Sequence, residues 1–285
     1  MIVIDYSGIA IANLFSMKEQ VSENLVRHMI LNSLRMYNVK FRQEYGQMII
    51  ACDGGAAWRK ELYPHYKANR KKNRDASSID WKEFFRILNL VRDEIRDHLP
   101  FKVVHVQGVE ADDVIAVLVE QTQEFGKNEP VMIVSADKDF VQLQQHKNVR
   151  QFSPMTKSFL KEKDPVRYLQ EHILRGDSGD GVPNVASADD VFVSGGRQTP
   201  LRAKVIDEWI QNWKDLNRHM NEQTYRNFQR NRALIDMSAI PSAKKSEIIN
   251  TLDTVRTNSN TLNYLISKRC TQLIECASEF NASTL

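Results

Sequence analysis

The chain of 285 residues is poor in several things, and each scarcity removes a class of protein. It has three cysteines, Cys52, Cys270 and Cys276, an odd number without a CxxC pair. No disulfide framework is expected from that count, and free thiols in a reducing cytoplasm are. No apolar run approaches the ~20 residues that cross a bilayer, so no membrane partner is expected. The opening residues, "MIVIDYSG", carry no basic flank and no small-residue cleavage site. They begin a strand at once, which leaves no secretory leader and no N-terminal docking tail to expect. Internal repeats and low-complexity tracts are absent. Charge of one sign is scarce overall, with a net charge of only +3. What remains is ordinary globular composition, 42% hydrophobic and 26% charged, long enough for one large domain or two modest ones.

Four short runs rich in Val and Ile, Ile2–Ile4, Met48–Cys52, Val103–Val106 and Val131–Val134, read as strands covered on both faces. Helical patterns lie between them. Glu19–Tyr45 sets Leu25, Met29, Ile30, Ser33 and Leu34 near one face, Asp80–Leu99 spaces Phe84, Phe85, Leu88, Val91 and Ile95, and Ala111–Phe125 repeats Ala111, Ile115 and Leu118. Strands alternating with helices predict a parallel α/β sheet. Beyond about residue 160 only helical patterns continue, at Pro165–Gly176, Leu201–Trp213, Glu222–Ile235, Ser242–Val255 and Thr261–Phe280. The expected division is therefore an α/β core over 1–160 and a helical region over 161–285. In the last stretch Leu262, Leu265, Leu273 and Ile274 are expected to pack.

Each predicted strand leads into acid. The first ends at Asp5, the second at Asp53, the third runs on to Glu110, Asp112 and Asp113, and the fourth to Asp137 and Asp139. A lone Asp after a strand is ordinarily a turn former or helix cap. Four such endings are harder to dismiss, because a parallel sheet puts all its strand C-termini on one edge, where such folds bind ligands. Carboxylates gathered there repel one another, and a cation is the natural compensation. With oxygen ligands and no Cys or His beside them, Mg²⁺ or Mn²⁺ suits better than Zn²⁺. The helical region adds "LRGDSGDGVPN", with Asp177 and Asp180. Its acid spacing is wrong for an EF-hand, and no Glu closes the loop. Read alone it is a Gly/Asp turn. Read with the others it supplies ligands for a second cation, as in sites that clamp both oxygens of an in-line displacement at phosphorus.

The cations cluster too. Trp58–Arg74 holds Arg59, Lys60, Lys67, Arg70, Lys71, Lys72 and Arg74 against Glu61 alone, interleaved with Trp58, Tyr63, His65 and Tyr66. A charge run is commonly just a solvated face. Cations with aromatic faces, however, suit phosphates and unstacked bases of a single strand.

Taken in order, "DGGAAWRKELYPHYKANRKK", "GVEADDVIAVLV", "VSADKDFVQL" and "LRGDSGDGVPNV" resemble the flap endonuclease family of 5′ nucleases, over about residues 1–240. That family includes the 5′-nuclease domain of bacterial DNA polymerase I, and the chain looks closest to its T-even phage RNase H branch. The resemblance implies a PIN-like parallel sheet flanked by helices, with a helix–turn–helix-type module for duplex in the helical region. It implies a 5′→3′ exonuclease and flap endonuclease that removes RNA primers and 5′ flaps in DNA replication, with two Mg²⁺ ions that Mn²⁺ can replace. One metal site would use Asp5, Asp53, Glu110, Asp112 and Asp137; a second would use Asp137 or Asp139 with Asp177 and Asp180. Asp113 would either join them or cap its helix. Lys67 and Arg70 would approach the scissile phosphate, and Tyr66 would stack on a base. Residues 58–78 would form an arch around the 5′ strand, with Arg59, Lys60 and Lys71 as further contacts. The pattern departs after "GDSGDGVPNV", where a glycine-rich turn gives way to "ASADDVFVSGGRQTPLRAKVIDEW". There Arg197, Arg202 and Lys204 are the expected duplex contacts.

The expected partners are nicked or branched duplex DNA and RNA–DNA hybrid with a 5′ end, and a single-strand-binding protein or sliding clamp. The expected form is a monomer in the cytoplasm of a bacterial host. Two rivals differ in class. A non-catalytic binder of branched DNA would keep the fold and a structural cation. A receiver-like phosphoacceptor would also put Asp at strand ends, but it would be smaller and has no use for seven cations in one loop.

Overall fold

Uninterrupted apolar runs become buried strands, and the computed structural model shows where they lie. It describes residues 1–16, 21–75 and 77–281, except the side chains of residues 16 and 71–73. In chain order the elements are β1 (Ile2–Asp5), α1 (Tyr6–Ser16), α2 (Glu23–Tyr45), β2 (Met48–Cys52), α3 (Ala57–Leu62), α4 (Asn69–Asp75), α5 (Trp81–His98), β3 (Lys102–His105), α6 (Ala111–Gln123) and β4 (Val131–Val134). They continue with β5 (Val149–Ser153), β6 (Ser158–Leu160), α7 (Pro165–Arg175), α8 (Ala203–Gln211), α9 (Leu216–His219), α10 (Glu222–Ile235), α11 (Ser242–Thr254), α12 (Thr261–Ser267) and α13 (Thr271–Ile274).

The sheet order is β3-β2-β1-β4-β5-β6, parallel from β3 through β5, with β6 added antiparallel. The four strands expected from apolar runs are thus the four neighbours at one side of the sheet. Every residue of β1, β2 and β4 is buried. Helix α2 packs on β1 and β4, while α6 packs on β1, β2 and β4. Covering helices explain why these strands carry no polar alternation.

Caps set several boundaries. The expected start of the second helix at Glu19 lies outside the described residues. Helix α2 begins at Glu23, where Ser22 accepts from the Leu25 amide. Asp80 and Asp164 cap α5 and α7 in the same way, the latter with Pro165 in the first turn. The helix expected over Thr261–Phe280 is three pieces instead, α12, α13 and a 3₁₀ turn at Ala277–Phe280. The first break falls at Arg269, whose φ of 54° no helix accommodates.

The chain divides into two compact units. The first holds Met1–Gly55, Asp80–Lys161 and Ser242–Leu285; the second holds Ala56–Ile79 and Glu162–Pro241. These units cut across the expected segments 1–160 and 161–285. The basic segment belongs with the second unit, and the last helices belong with the sheet. In the first unit, α11 packs on α6 and β3. The Tyr264 hydroxyl of α12 donates to Glu94 at 2.8 Å, and Glu94 also accepts from Arg27, itself 1% exposed, at 2.7 Å. Leu265 and Leu273 are buried as expected, whereas Leu262 lies on the outer face of α12, 49% exposed. The second unit has its own core, including Ile173, Val185, Trp209, Phe228, Leu234 and Tyr66. Among the described residues, no helix is long and apolar enough to cross a membrane.

Candidate metal centre and basic cluster

In the first unit, parallel register carries the acids to one edge. Asp5 is the last residue of β1, paired with Ala51, and Asp53 follows β2 directly. Asp137 follows β4 by three positions and caps a 3₁₀ turn at Lys138–Gln145, accepting from the Asp139 amide at 2.9 Å. Glu110 is the residue before α6, with Asp112 in the first turn. The amide of Ala111, between these two acids, donates to Asp53 Oδ1 at 3.0 Å, so the start of α6 meets the end of β2. Asp113 is wholly buried, and its Oδ2 accepts from the Glu110 amide at 3.1 Å. It caps the helix, the second of its two expected roles.

The remaining partners of the two central acids are small groups. Asp5 accepts from the Gly8 amide at 2.8 Å and from the Ser135 hydroxyl at 2.7 Å. Asp53 accepts from the Ser7 hydroxyl at 2.6 Å. Neither Ser7, Gly8 nor Ser135 was expected from the sequence. Gly8 had a signal, since a glycine in the first turn of a helix needs a reason. A Cβ there would lie 2.2 Å from Asp5 Oδ2. These donors orient the carboxylates without neutralising them. Burial first, then repulsion from Asp53 and Asp137, pushes Asp5 up to about 7, against the pull of the Ser135 and Gly8 hydrogen bonds. A raised buried Asp among other acids with oxygen donors only is the environment a hard divalent cation relieves. The donor set therefore fits Mg²⁺ or Mn²⁺.

In the second unit, α7 ends at Gly176, whose φ is 69° and whose Cβ, if present, would meet Val182 O at 2.4 Å. The loop that follows is closed by paired backbone bonds between Asp177 and Val182, at 2.8 and 2.7 Å. Asp177 accepts from the Asp180 amide at 3.0 Å and lies 3.3 Å from His172 Nε2. Burial alone would raise Asp177; hydrogen bonds from His172 and from the Asp180 and Gly179 amides outweigh it and hold the group below the ordinary range. His172, in the last turn of α7, is a partner that sequence reading missed. Nothing in "QEHILRG" marks it, because its role depends on the fold of the loop.

Asp180 meets the basic segment. Its carboxylate accepts from Arg70 Nη2 at 2.5 Å and from the Tyr66 hydroxyl at 2.8 Å, and lies 3.4 Å from Lys67 Nζ. Tyr66 is thus not an open stacking face. Its ring is 4% exposed, part of the core of this unit, and it serves to hold Asp180. Arg59 is also corrected. It is buried, its Nε donates to Leu234 O at 3.1 Å, and its guanidinium lies 4.2 Å from the Trp58 ring centroid. It is packed as a buried cation, not presented at the surface as expected. Lys60 is exposed on α3, and Arg197, Arg202 and Lys204 are exposed where the loop reaches α8. The side chain of Lys71 lies outside the described residues. The expected helix–turn–helix reads here as α7, a long loop over 183–202 and α8. That loop is held by side chains rather than by glycines: Asn227 donates to Val185 O and Ser187 O at 3.0 and 2.9 Å.

Residues 1–172 match the family model described as 5′–3′ exonuclease, N-terminal resolvase-like domain, and residues 166–280 that described as T4 RNase H, C terminal. The chain is 33% identical over 260 residues to the Ribonuclease H of Enterobacteria phage T4, 87% of this chain and 84% of that protein. It is 27% identical over 208 residues to DNA polymerase I of Streptococcus pneumoniae, 67% of this chain but 23% of that longer protein. Its fold matches the solved flap endonuclease of bacteriophage T5 in complex with DNA and metal ions, with a TM-score of 0.62, 20% identity, and cover of 89% of this chain and 97% of that one. Matched by the first model along its whole α/β part, and one-third identical to a relative over most of both lengths, this chain belongs to the 5′–3′ exonuclease family.

Proposed function

We propose that this protein is a structure-specific 5′ nuclease, hydrolysing phosphodiester bonds in nicked or flapped DNA and in RNA–DNA hybrid with a 5′ end. The observation that carries the reading is the edge of four adjacent parallel strands leading into Asp5, Asp53, Glu110, Asp112, Asp137 and Asp139 in a chain of this family. When bound there, divalent cations supply Lewis-acid polarisation of water and of the phosphoryl oxygens.

The chain's own residues do the rest. Ser7, Ser135 and the amides of Gly8 and Ala111 fix the oxygens of Asp53 and Asp5, so the carboxylates need not reorganise when charge arrives. Asp177 and Asp180 are a separate pair of carboxylates in the loop of the second unit. Lys67 and Arg70 bind and neutralise the scissile phosphate. Arg197, Arg202 and Lys204 hold the duplex backbone, which fixes register without reading sequence. No side chain is required as general base.

The test is digestion of a 5′-labelled flap and a nicked hybrid with and without Mg²⁺. Short 5′ products that need the metal support the reading. Tight binding of both substrates with no cleavage at any metal concentration would leave a non-catalytic binder of branched nucleic acid.

A further inference from the structure

A glutamine inside a sheet needs a reason, and Gln151 of β5 is 0% exposed. Its partners lie where β4 leaves the ladder. The paired register of β4 and β5 ends at Val134 and Phe152, and one more main-chain bond follows, from the Ser135 amide to Phe152 O at 3.1 Å. Past that point the Gln151 side chain takes over from the ladder. Its Nε2 donates to Ser135 O at 3.1 Å and to Asp137 O at 2.6 Å, while Gln144 Nε2 donates to its Oε1 at 3.1 Å. Ser135 closes the arrangement from the other side. It too is wholly buried, and its Oγ accepts from the Asp137 amide at 3.1 Å and donates to Asp5 Oδ2 at 2.7 Å. Asp137 is thus gripped at its amide and at its carbonyl, and the hydroxyl that grips it also holds Asp5. The Asp137 carboxylate is oriented in turn by the Asp139 amide, at 2.9 Å.

An apolar side chain would fill β5 as Val149 and Phe152 do. The amide serves the two carbonyls of the 135–137 turn, which cannot be left buried without donors. We propose that Gln151 is a positioning residue for divalent metal: with Ser135 it forms a bracket that sets the spacing of Asp137 from Asp5 before an ion arrives. The inference rests on the nuclease reading and deepens it. Being wholly buried, Gln151 acts through the main chain of Asp137. The two acids repel each other while no ion is bound, and a turn free to yield would let them part. An ion would then have to draw them back together, at a cost in affinity that the bracket removes.

The experiment titrates the full chain, without DNA, with Mn²⁺ and reads unbound ion by electron paramagnetic resonance. Gln151→Met, an apolar isostere, is expected to weaken Mn²⁺ binding about tenfold, and Ser135→Ala by a similar factor. The double variant is expected to lose less than the product of the two, because both act on one turn. Asn38 of α2 supplies the control. It is 2% exposed, and its Nδ2 donates to Glu279 O and Asn281 O at 2.8 and 3.1 Å. Asn38→Leu loses the same kind of bonds and is expected to lower the urea midpoint as Gln151→Met does, with Mn²⁺ affinity changed less than about twofold. Mn²⁺ affinity that is unchanged in Gln151→Met, falls equally in Asn38→Leu, or drops by the full product in the double variant overturns the bracket even if metal-dependent cleavage is intact. Should Gln151→Met not fold, Ser135→Ala decides in its place, and unchanged affinity there overturns the bracket. An unaltered protein that binds no Mn²⁺ at all overturns the nuclease reading along with it.

Discussion

The two groups of carboxylates in this chain meet one electrostatic problem in opposite ways. At the sheet edge, Asp5 and Asp53 are held by hydroxyls and backbone amides, and among the described residues neither forms an ion pair. In the loop after α7, Asp177 leans on His172, and Asp180 on Lys67 and Arg70. Hydrogen-bond donors orient charge but leave repulsion in place, and burial, with repulsion from Asp53 and Asp137 added, raises Asp5 to about 7. In the loop, burial would raise Asp177, but hydrogen bonds from His172 and two backbone amides hold it below the usual carboxylate range. One group is oriented by hydroxyls and backbone amides; the other also has basic side chains of its own unit against it.

The contrast breaks most visibly at the sheet edge. Asp53→Ala should lower Mg²⁺-dependent cleavage by roughly 10³-fold or more in single-turnover assays. Near-normal turnover would remove Asp53 from the site. The next effect is on stability. Asp5 has a folded pKa of about 7 against an ordinary 3.8, so between those values the folded, metal-free protein keeps a proton the unfolded chain has lost. The stabilising contribution is complete below the unfolded value and is lost as pH rises through about 7. At ~1.4 kcal/mol per pKa unit, the deficit at pH 8 is on the order of a few kcal/mol. Urea denaturation in EDTA should show stability falling across that window, and Asp5→Asn should flatten the slope. Divalent metal should restore the unaltered protein at pH 8 far more than the variant. A pH-independent, metal-free stability would mean that neither burial nor the neighbouring acids raise Asp5.

On the loop side the effects are smaller. Tyr66→Phe should cost about 1–2 kcal/mol in denaturation, because a hydrogen bond to the Asp180 carboxylate is lost while the ring still packs. No loss would detach Tyr66 from Asp180. Smallest of all, Arg202→Gln and Lys204→Gln should each flatten the salt dependence of duplex binding by about one unit of slope without touching the fold. Arg59→Gln should do the reverse, destabilising the protein with the slope unchanged.

Legibility followed burial. Strands β1 to β4 were readable because they are largely buried and their sequences are dominated by Val, Ile and Met. The other two strands were not. In β5 Arg150 is exposed, and β6, at the antiparallel edge, has no buried residue, so neither leaves an apolar run. Helix α1 was missed because Gly8 and an almost wholly apolar stretch blur the helical period. In the site, acids at strand ends could be read because parallel topology sends them to one edge whatever the order. The donors that hold them could not, since Ser7, Gly8 and Ser135 are unremarkable until the backbone brings them within 3 Å of Asp5 and Asp53. The basic segment misled in one respect. A count of cations cannot separate Arg59, sunk beside Trp58, from Lys67 and Arg70, paired with an acid more than a hundred residues away.

The central claim is that the sheet-edge acids exist to hold divalent metal. Anomalous scattering from a crystal soaked in Mn²⁺ tests it most directly. Manganese bound by Asp5 and Asp53, with Glu110, Asp112 or Asp137 completing the ligands, is the predicted result. Strand ends with no manganese at millimolar concentration, in a protein that still cuts DNA with Mn²⁺, would contradict it.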